Sequence, residues 1–148
     1  MNQDLNMNIQ ERKAVDILVS EFWRLGFFTL SRRLGKYLPE PENIGKFKVD
    51  AIARQNEKYA IGITLSKEDI FNPDLIEKIN YLASRRTKFS DKPILLLIGV
   101  PDFYFKQVKE ILQSVDENVR KHIKIIRIIE ENIASQRSRR STQHEIFS

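Results

Sequence analysis

The chain contains no cysteine, only five glycines and five prolines in 148 residues, and no apolar run that approaches a membrane span of about 18 residues. The missing cysteines exclude a disulfide framework, thiolate zinc sites and a cysteine nucleophile. The two histidines, His122 and His144, do not have the spacing of zinc ligands. The motifs G-x-x-x-x-G-K-[ST], G-x-G-x-x-G and G-x-S-x-G are also absent. Because the segment from Met1 to Gln10 lacks the apolar stretch of a signal peptide, we expect a protein of the reducing cytoplasm.

The composition is that of an ordinary folded domain with a mild positive charge. Hydrophobic residues make up 41% of the chain, and 25 basic residues against 20 acidic ones give a formal net charge of +5. A chain of this length can bury roughly 68–70% of its unfolded surface, so it can form a stable core without disulfide bonds or structural metal ions. The charge permits a polyanionic partner without requiring one. We expect one α/β domain over residues 1–131 and a basic, flexible tail over 132–148.

The periodicity of apolar residues predicts alternating helices and strands. Val15, Leu18, Phe22 and Leu25 recur with helical spacing and predict a first helix over 8–25. Strands are predicted over 27–34, 46–54, 58–65, 93–100 and 122–129, with further helices over 72–86 and 102–115. The order αβββαβαβ predicts an α/β fold, with a mixed sheet flanked by helices.

Asp50 lies within the second predicted strand. Side chains alternate along a strand, which places Lys48, Asp50, Ile52 and Arg54 on one face and Phe47, Val49, Ala51 and Ala53 on the other. A buried carboxylate needs a hydrogen-bond donor, a cation or a metal ion. Asp50 is therefore either a satisfied structural residue or part of a site.

The third predicted strand has one face of small side chains. Ala60, Gly62 and Thr64 share this face. Two interpretations are open: the first helix packs closely over Gly62, or a shallow cavity lies there beside Asp50.

These residues together resemble a known superfamily. A helix that carries Glu11, the segment Val49–Arg54 with Asp50, and a hairpin to the strand Lys58–Leu65 are similar to the PD-(D/E)XK nucleases. Small members of that superfamily include the archaeal Holliday-junction resolvases and restriction-endonuclease-like domains. The resemblance covers about residues 10–129 and implies a restriction-endonuclease-like fold. It also implies catalytic roles for Asp50 and Glu11, with Asp50 as a metal ligand.

The motif is incomplete at two positions. Gly62 stands where the second carboxylate of the superfamily belongs, and Thr64 stands where its lysine belongs. Such nucleases hold Mg²⁺ through carboxylate oxygens, and the metal activates a water. Losing both groups should cost several orders of magnitude in rate, since each electrostatic contact is worth about 10²–10³. Substitutes could come from Lys67, Glu68, Asp69, Glu77 or Lys78.

Two basic segments are candidates for contacts with phosphates. The first carries Arg32, Arg33, Lys36, Lys46 and Lys48, and in the resemblance it would face a nucleic-acid backbone. The second, Arg85, Arg86 and Lys88, closes the second predicted helix. Those cations either bind a partner or complement the helix dipole.

We therefore expect a nuclease-fold protein that binds nucleic acid, with DNA favoured, and whose phosphodiester cleavage is weak or lost. One alternative is an active Mg²⁺-dependent endonuclease whose acid and lysine have moved to other positions. Another is a protein-interaction module on the same scaffold. Because superfamily members of this size often pair, we also expect a homodimer.

Overall fold

The protein is described here by a computed structural model that covers residues 2–129, with side chains from residue 9 onward. The helices are α1 (Asn2–Arg24), α2 (Lys67–Ile70), α3 (Leu75–Ala83), α4 (Phe105–Ile111) and α5 (Glu117–Arg120). The strands are β1 (Phe28–Arg32), β2 (Ala51–Gln55), β3 (Lys58–Thr64), β4 (Leu95–Pro101) and β5 (Ile123–Ile128). The predicted tail, 132–148, lies outside the described residues.

All five strands form one mixed sheet in the order β1-β2-β3-β4-β5. The β1–β2 and β2–β3 pairs are antiparallel, and the β3–β4 and β4–β5 pairs are parallel. The predicted α/β class, with a mixed sheet and helices, is therefore confirmed. No helix within residues 2–129 is long and apolar enough to cross a membrane.

Helices cover both faces of the sheet and form two cores. On one face, Leu18 and Phe22 of α1 pack against Ala51, Ala53 and Ala60. These small strand residues let the helix approach closely. On the other face, larger strand side chains pack against α3 and α4; they are Ile61, Ile63, Leu96, Ile98 and Val100. The strand side chains are thus small on the face that α1 covers closely and larger on the face that α3 and α4 cover.

The second strand is shorter than predicted. The predicted assignment of its side chains to the two faces of the sheet was also wrong. Regular pairing with β3 begins only at Ala51. Val49 packs into the core beside α3, whereas Ala51 packs into the core beside α1. These two residues were predicted to share a face, but strict alternation holds only where the chain is a regular strand.

Two helical details also differ from the sequence predictions. Helix α2 was not predicted; it begins with a capping box in which Ser66 and Asp69 satisfy each other's backbone N–H groups. The helix predicted over 72–86 begins later than expected, because Asn72 Oδ1 accepts from Asp74 N and Asp74 is the N-cap residue of α3. The predicted helix over 102–115 is confirmed, with 3₁₀ turns on either side of α4.

Candidate functional site

Asp50 lies one residue before β2 and is held by its backbone from both sides. Its N–H donates to Gly62 O at 2.8 Å, and its carbonyl accepts from Arg33 N at 2.8 Å. These bonds place the side chain between the chain that follows β1 and the end of β3. Asp50 is only 6% exposed, and its carboxylate therefore needs partners within the protein.

Both carboxylate oxygens of Asp50 are hydrogen-bonded. Oδ1 accepts from Arg33 Nη1 at 2.6 Å. Oδ2 accepts from Thr64 N at 2.6 Å and from Thr64 Oγ1 at 3.1 Å. Across residues 9–129, no buried side-chain nitrogen or oxygen lacks a partner. Asp50 is therefore a satisfied buried carboxylate, which is the structural alternative that the sequence left open.

Arg33 joins the two acidic residues that the resemblance marked as catalytic. Its second amino group, Nη2, donates to Glu11 Oε2 at 3.2 Å while Nη1 binds Asp50. Desolvation alone would lower the pKa of the guanidinium, but the bonds to these two carboxylates raise it above its ordinary value. Glu11 and Asp50 thus lie at one site, and an arginine lies between them.

Gly62 belongs to the core and not to a cavity. A Cβ atom at this position would lie 3.0 Å from Phe22 Cζ and 3.2 Å from Leu18 Cδ1. Close packing of α1 over Gly62 is therefore confirmed, and the alternative of a shallow cavity at this position is wrong. No space exists there for a glutamate unless α1 moves.

The donor set does not fit a magnesium ion. Mg²⁺ needs free oxygen ligands in near-octahedral geometry, but Arg33 already binds both carboxylates. Among the side chains described, residues 9–129, no three histidine or acidic residues form a group that could hold a metal. In this arrangement the two carboxylates are therefore not available as metal ligands.

All the possible substitutes except Lys67 are engaged elsewhere or do not line the site. The Glu77 carboxylate accepts from Lys46 Nζ at 2.9 Å and does not line the site. The Asp69 carboxylate accepts from Ser66 in the capping box. Lys67 lines the site, and its side chain is exposed. Lys67 is thus the candidate substitute whose side chain remains available there.

A cavity of about 460 Å³ lies against Glu11, Arg33 and Thr64. Its wall includes the last residues of the three parallel strands: Thr64 of β3, Pro101 of β4 and Ile128 of β5. The carboxyl ends of parallel strands are a common position for ligand sites in α/β proteins. Arg33 and Lys67 give this cavity hydrogen-bond donors, and Glu11 and Asp69 balance their charge.

The predicted basic segment does not form one free positive surface. Arg32 pairs with Asp16 at 2.8 Å, Lys46 pairs with Glu77, and Arg33 is held as described above. The bond to Glu77 raises the pKa of Lys46. Lys36 and Lys48 are exposed and form no ion pair within the described part of the chain, and Tyr37, which follows Lys36 in sequence, is 95% exposed.

The role of Arg33 as the partner of Asp50 was not predicted from the sequence, where Arg33 was a candidate for contact with nucleic acid. The one available signal was the demand of a buried Asp50 for a cation, and the tandem Arg32-Arg33 supplied two candidates. Comparison of this chain with family models, curated proteins and solved structures gives no match.

Proposed function

We propose that this chain is a restriction-endonuclease-like protein of the PD-(D/E)XK type that binds nucleic acid, DNA in particular, and does not cleave it. The proposed ancestry is supported by the position of Glu11 on α1 and of Asp50 at the start of β2, because both acids meet at the end of β3. The order of α1, three antiparallel strands and two later parallel strands is consistent with it.

The position of Arg33 is the observation that carries the proposal. Its guanidinium lies between Asp50 Oδ1 and Glu11 Oε2, where a hydrolytic site would need a divalent ion. A guanidinium can neutralise two carboxylates, but it cannot coordinate a water and lower its pKa as a metal does. The contacts of Arg33 with both acids therefore favour a stabilising role for the two carboxylates over a role in holding a water-activating ion.

Binding itself is supported by the cations that remain free. Lys36 and Lys48 are exposed cations in the segment between β1 and β2, Lys36 directly precedes the exposed Tyr37 in sequence, and the whole chain carries +5. Lysine ammonium groups neutralise phosphates without reading sequence, so such binding is salt-dependent.

Fluorescence anisotropy with labelled duplex, branched and single-stranded DNA at low salt tests the binding. We expect binding that weakens with salt, and a slope of log K against log salt that falls by about two when Lys36→Gln and Lys48→Gln are combined. The matched control is Lys106→Gln with Lys109→Gln, two exposed lysines on α4, which should leave the slope unchanged.

A plasmid-nicking assay with Mg²⁺ or Mn²⁺ tests the absence of cleavage. We expect no nicking by the wild-type protein with either ion. Metal-dependent nicking that disappears in Asp50→Ala would replace the proposal with the active endonuclease. If no nucleic acid binds even at low salt, the chain is instead an interaction module on this scaffold.

A further inference from the structure

A second groove, of about 940 Å³, lies at the opposite end of β3 from Asp50. It is formed by the β2–β3 hairpin and by the loop over 85–92, which connects α3 to β4. Tyr59 in this groove and Thr64 at the Asp50 site are separated by about 17 Å along the strand, given 3.3 Å per residue. The two sites therefore occupy different ends of the sheet.

The wall of this groove is strongly basic. Five basic side chains line it against one acidic side chain, Glu57; they are Arg54, Arg85, Arg86, Lys88 and Lys92. Two of them are partly neutralised, because Arg86 pairs with Asp91 at 2.8 Å and Lys92 pairs with Glu57 at 3.4 Å. Lys88 is exposed and forms no ion pair within residues 9–129. The groove thus complements a polyanion.

The floor of the groove is apolar and its rim carries an aromatic ring. Ile52, Ile61 and Ile94 line the floor. Phe89 stands at the rim and is 98% exposed, although a phenylalanine normally buries most of its surface. Free cations beside an exposed ring are the combination found on single-strand binding surfaces, where bases stack on the ring.

The loop that carries Lys88 and Phe89 is held in one conformation by its own hydrogen bonds. Thr87 N donates to Lys92 O at 2.8 Å, and Lys92 N donates to Thr87 Oγ1 at 2.9 Å. Asp91 has the left-handed φ of 50°, which turns the chain back toward β4. Because these bonds close the loop before any ligand arrives, its tip residues lose less conformational entropy on binding, and this favours affinity.

We propose that the groove of β2, β3 and the 85–92 loop binds a single strand of nucleic acid, with a base stacked on Phe89 and backbone phosphates beside Lys88 and Arg85. This inference rests on the proposed function and adds to it the strandedness of the ligand and a second contact surface. A duplex keeps its bases stacked on one another, so it cannot use an exposed ring and an apolar floor. A single strand can use both.

The test measures binding of labelled oligothymidylate and of a duplex of equal length to the full chain. We expect Phe89→Ala to weaken oligothymidylate binding about fivefold or more, in line with the stacking of one base. Lys88→Gln should reduce the salt slope for the single strand by about 0.7. The matched controls are Phe103→Ala, which removes another exposed ring, and Lys109→Gln on α4; neither should change the affinity.

Each other outcome overturns the inference in a recognisable way. If oligothymidylate binds and neither Phe89→Ala nor Lys88→Gln affects it, the groove is not the site, but the proposed function stands. If polyglutamate displaces oligothymidylate equally well at equal charge, the groove accepts acidic protein and not a nucleic-acid strand. If no nucleic acid binds at all, the proposed function fails as well. Because both side chains are exposed, we expect unchanged melting temperatures in both variants.

Discussion

Replacing Asp50 tests whether its carboxylate serves the fold or a reaction. Asp50→Asn keeps the shape of the side chain and one oxygen that can accept from Thr64, but it removes the negative charge that faces Arg33. Asp50→Ala removes the acceptor of three hydrogen bonds. It leaves Thr64 N without its partner and Arg33 paired only with Glu11.

The expected loss of stability follows from the burial of the two partners. Breaking a fully buried ion pair costs about 3–5 kcal/mol, and losing a hydrogen bond to a charged group costs about 1.5–3 kcal/mol. Asp50 has a side chain that is only 8% exposed, but Arg33 is 36% exposed, and water compensates part of its loss. We therefore expect about 2 kcal/mol for Asp50→Asn and about 3–4 kcal/mol for Asp50→Ala. At about 2–4 °C per kcal/mol, the melting temperature falls by roughly 4–8 °C and 6–16 °C respectively.

Thermal and urea unfolding followed by circular dichroism measure these losses. The comparison variant is Glu11→Gln, which breaks an exposed ion pair with Arg33 and should cost less than about 1 kcal/mol. If Asp50→Asn is as stable as the wild type or more stable, the carboxylate does not hold the fold. That result would refute the structural role and favour a carboxylate kept for chemistry.

Three further predictions address the packing, the acid stability and the arginine. Gly62→Glu with Thr64→Lys should lower the free energy of unfolding by at least about 1–3 kcal/mol because Phe22 occupies the space, and unchanged melting would contradict that packing. The pKa of Glu21 is lowered from 4.5 to about 2, chiefly by its bond to Arg24, so the stability that this group adds is present above pH 4.5 and is lost as the pH falls toward 2. Glu21→Gln should therefore lose less stability than the wild type in urea titrations over that range, by on the order of 1 kcal/mol, and equal losses would show that the bond adds nothing. Arg33→Met should gain stability from millimolar Mg²⁺ in a thermal melt, about 1.4 kcal/mol at ten times the dissociation constant, whereas the wild type should gain none. If the ion stabilises neither protein, the two acids are too far apart to share it.

The sequence predicted those features that depend on local periodicity. The stripe that contains Leu18 and Phe22 identified α1 and its buried face, and the apolar run over 94–98 identified β4. Each is a repeat of side-chain type within one element, so the neighbours in space are not needed to recognise it. The demand of Asp50 for a partner was also predictable, because burying a charge alone is unfavourable whatever the fold.

The identity of that partner was not predictable in the same way. Arg33 and Asp50 are 17 positions apart, and the conformation of the loop between them decides which of two adjacent arginines reaches Asp50. Arg32 instead pairs with Asp16 on α1. The prediction that Val49 and Ala51 share one face of the sheet was wrong for a related reason. Periodicity assumes a regular strand, and the regular strand begins only at Ala51, the residue after Asp50.

The two ends of β3 use positive charge in different ways. At the Asp50 end, the guanidinium of Arg33 lies between two carboxylates at 2.6 and 3.2 Å. These carboxylates largely neutralise its charge, and the ion pairs add to the stability of the fold. At the hairpin end, Lys88 is exposed and lies beside other basic side chains, where mutual repulsion adds nothing to folding. A cation that is repelled by neighbouring cations in the free protein interacts favourably with a bound polyanion, which also relieves that repulsion. On this reasoning the hairpin end adds its own share to the proposed nucleic-acid affinity, and the contacts of Arg33 at the Asp50 end support the fold.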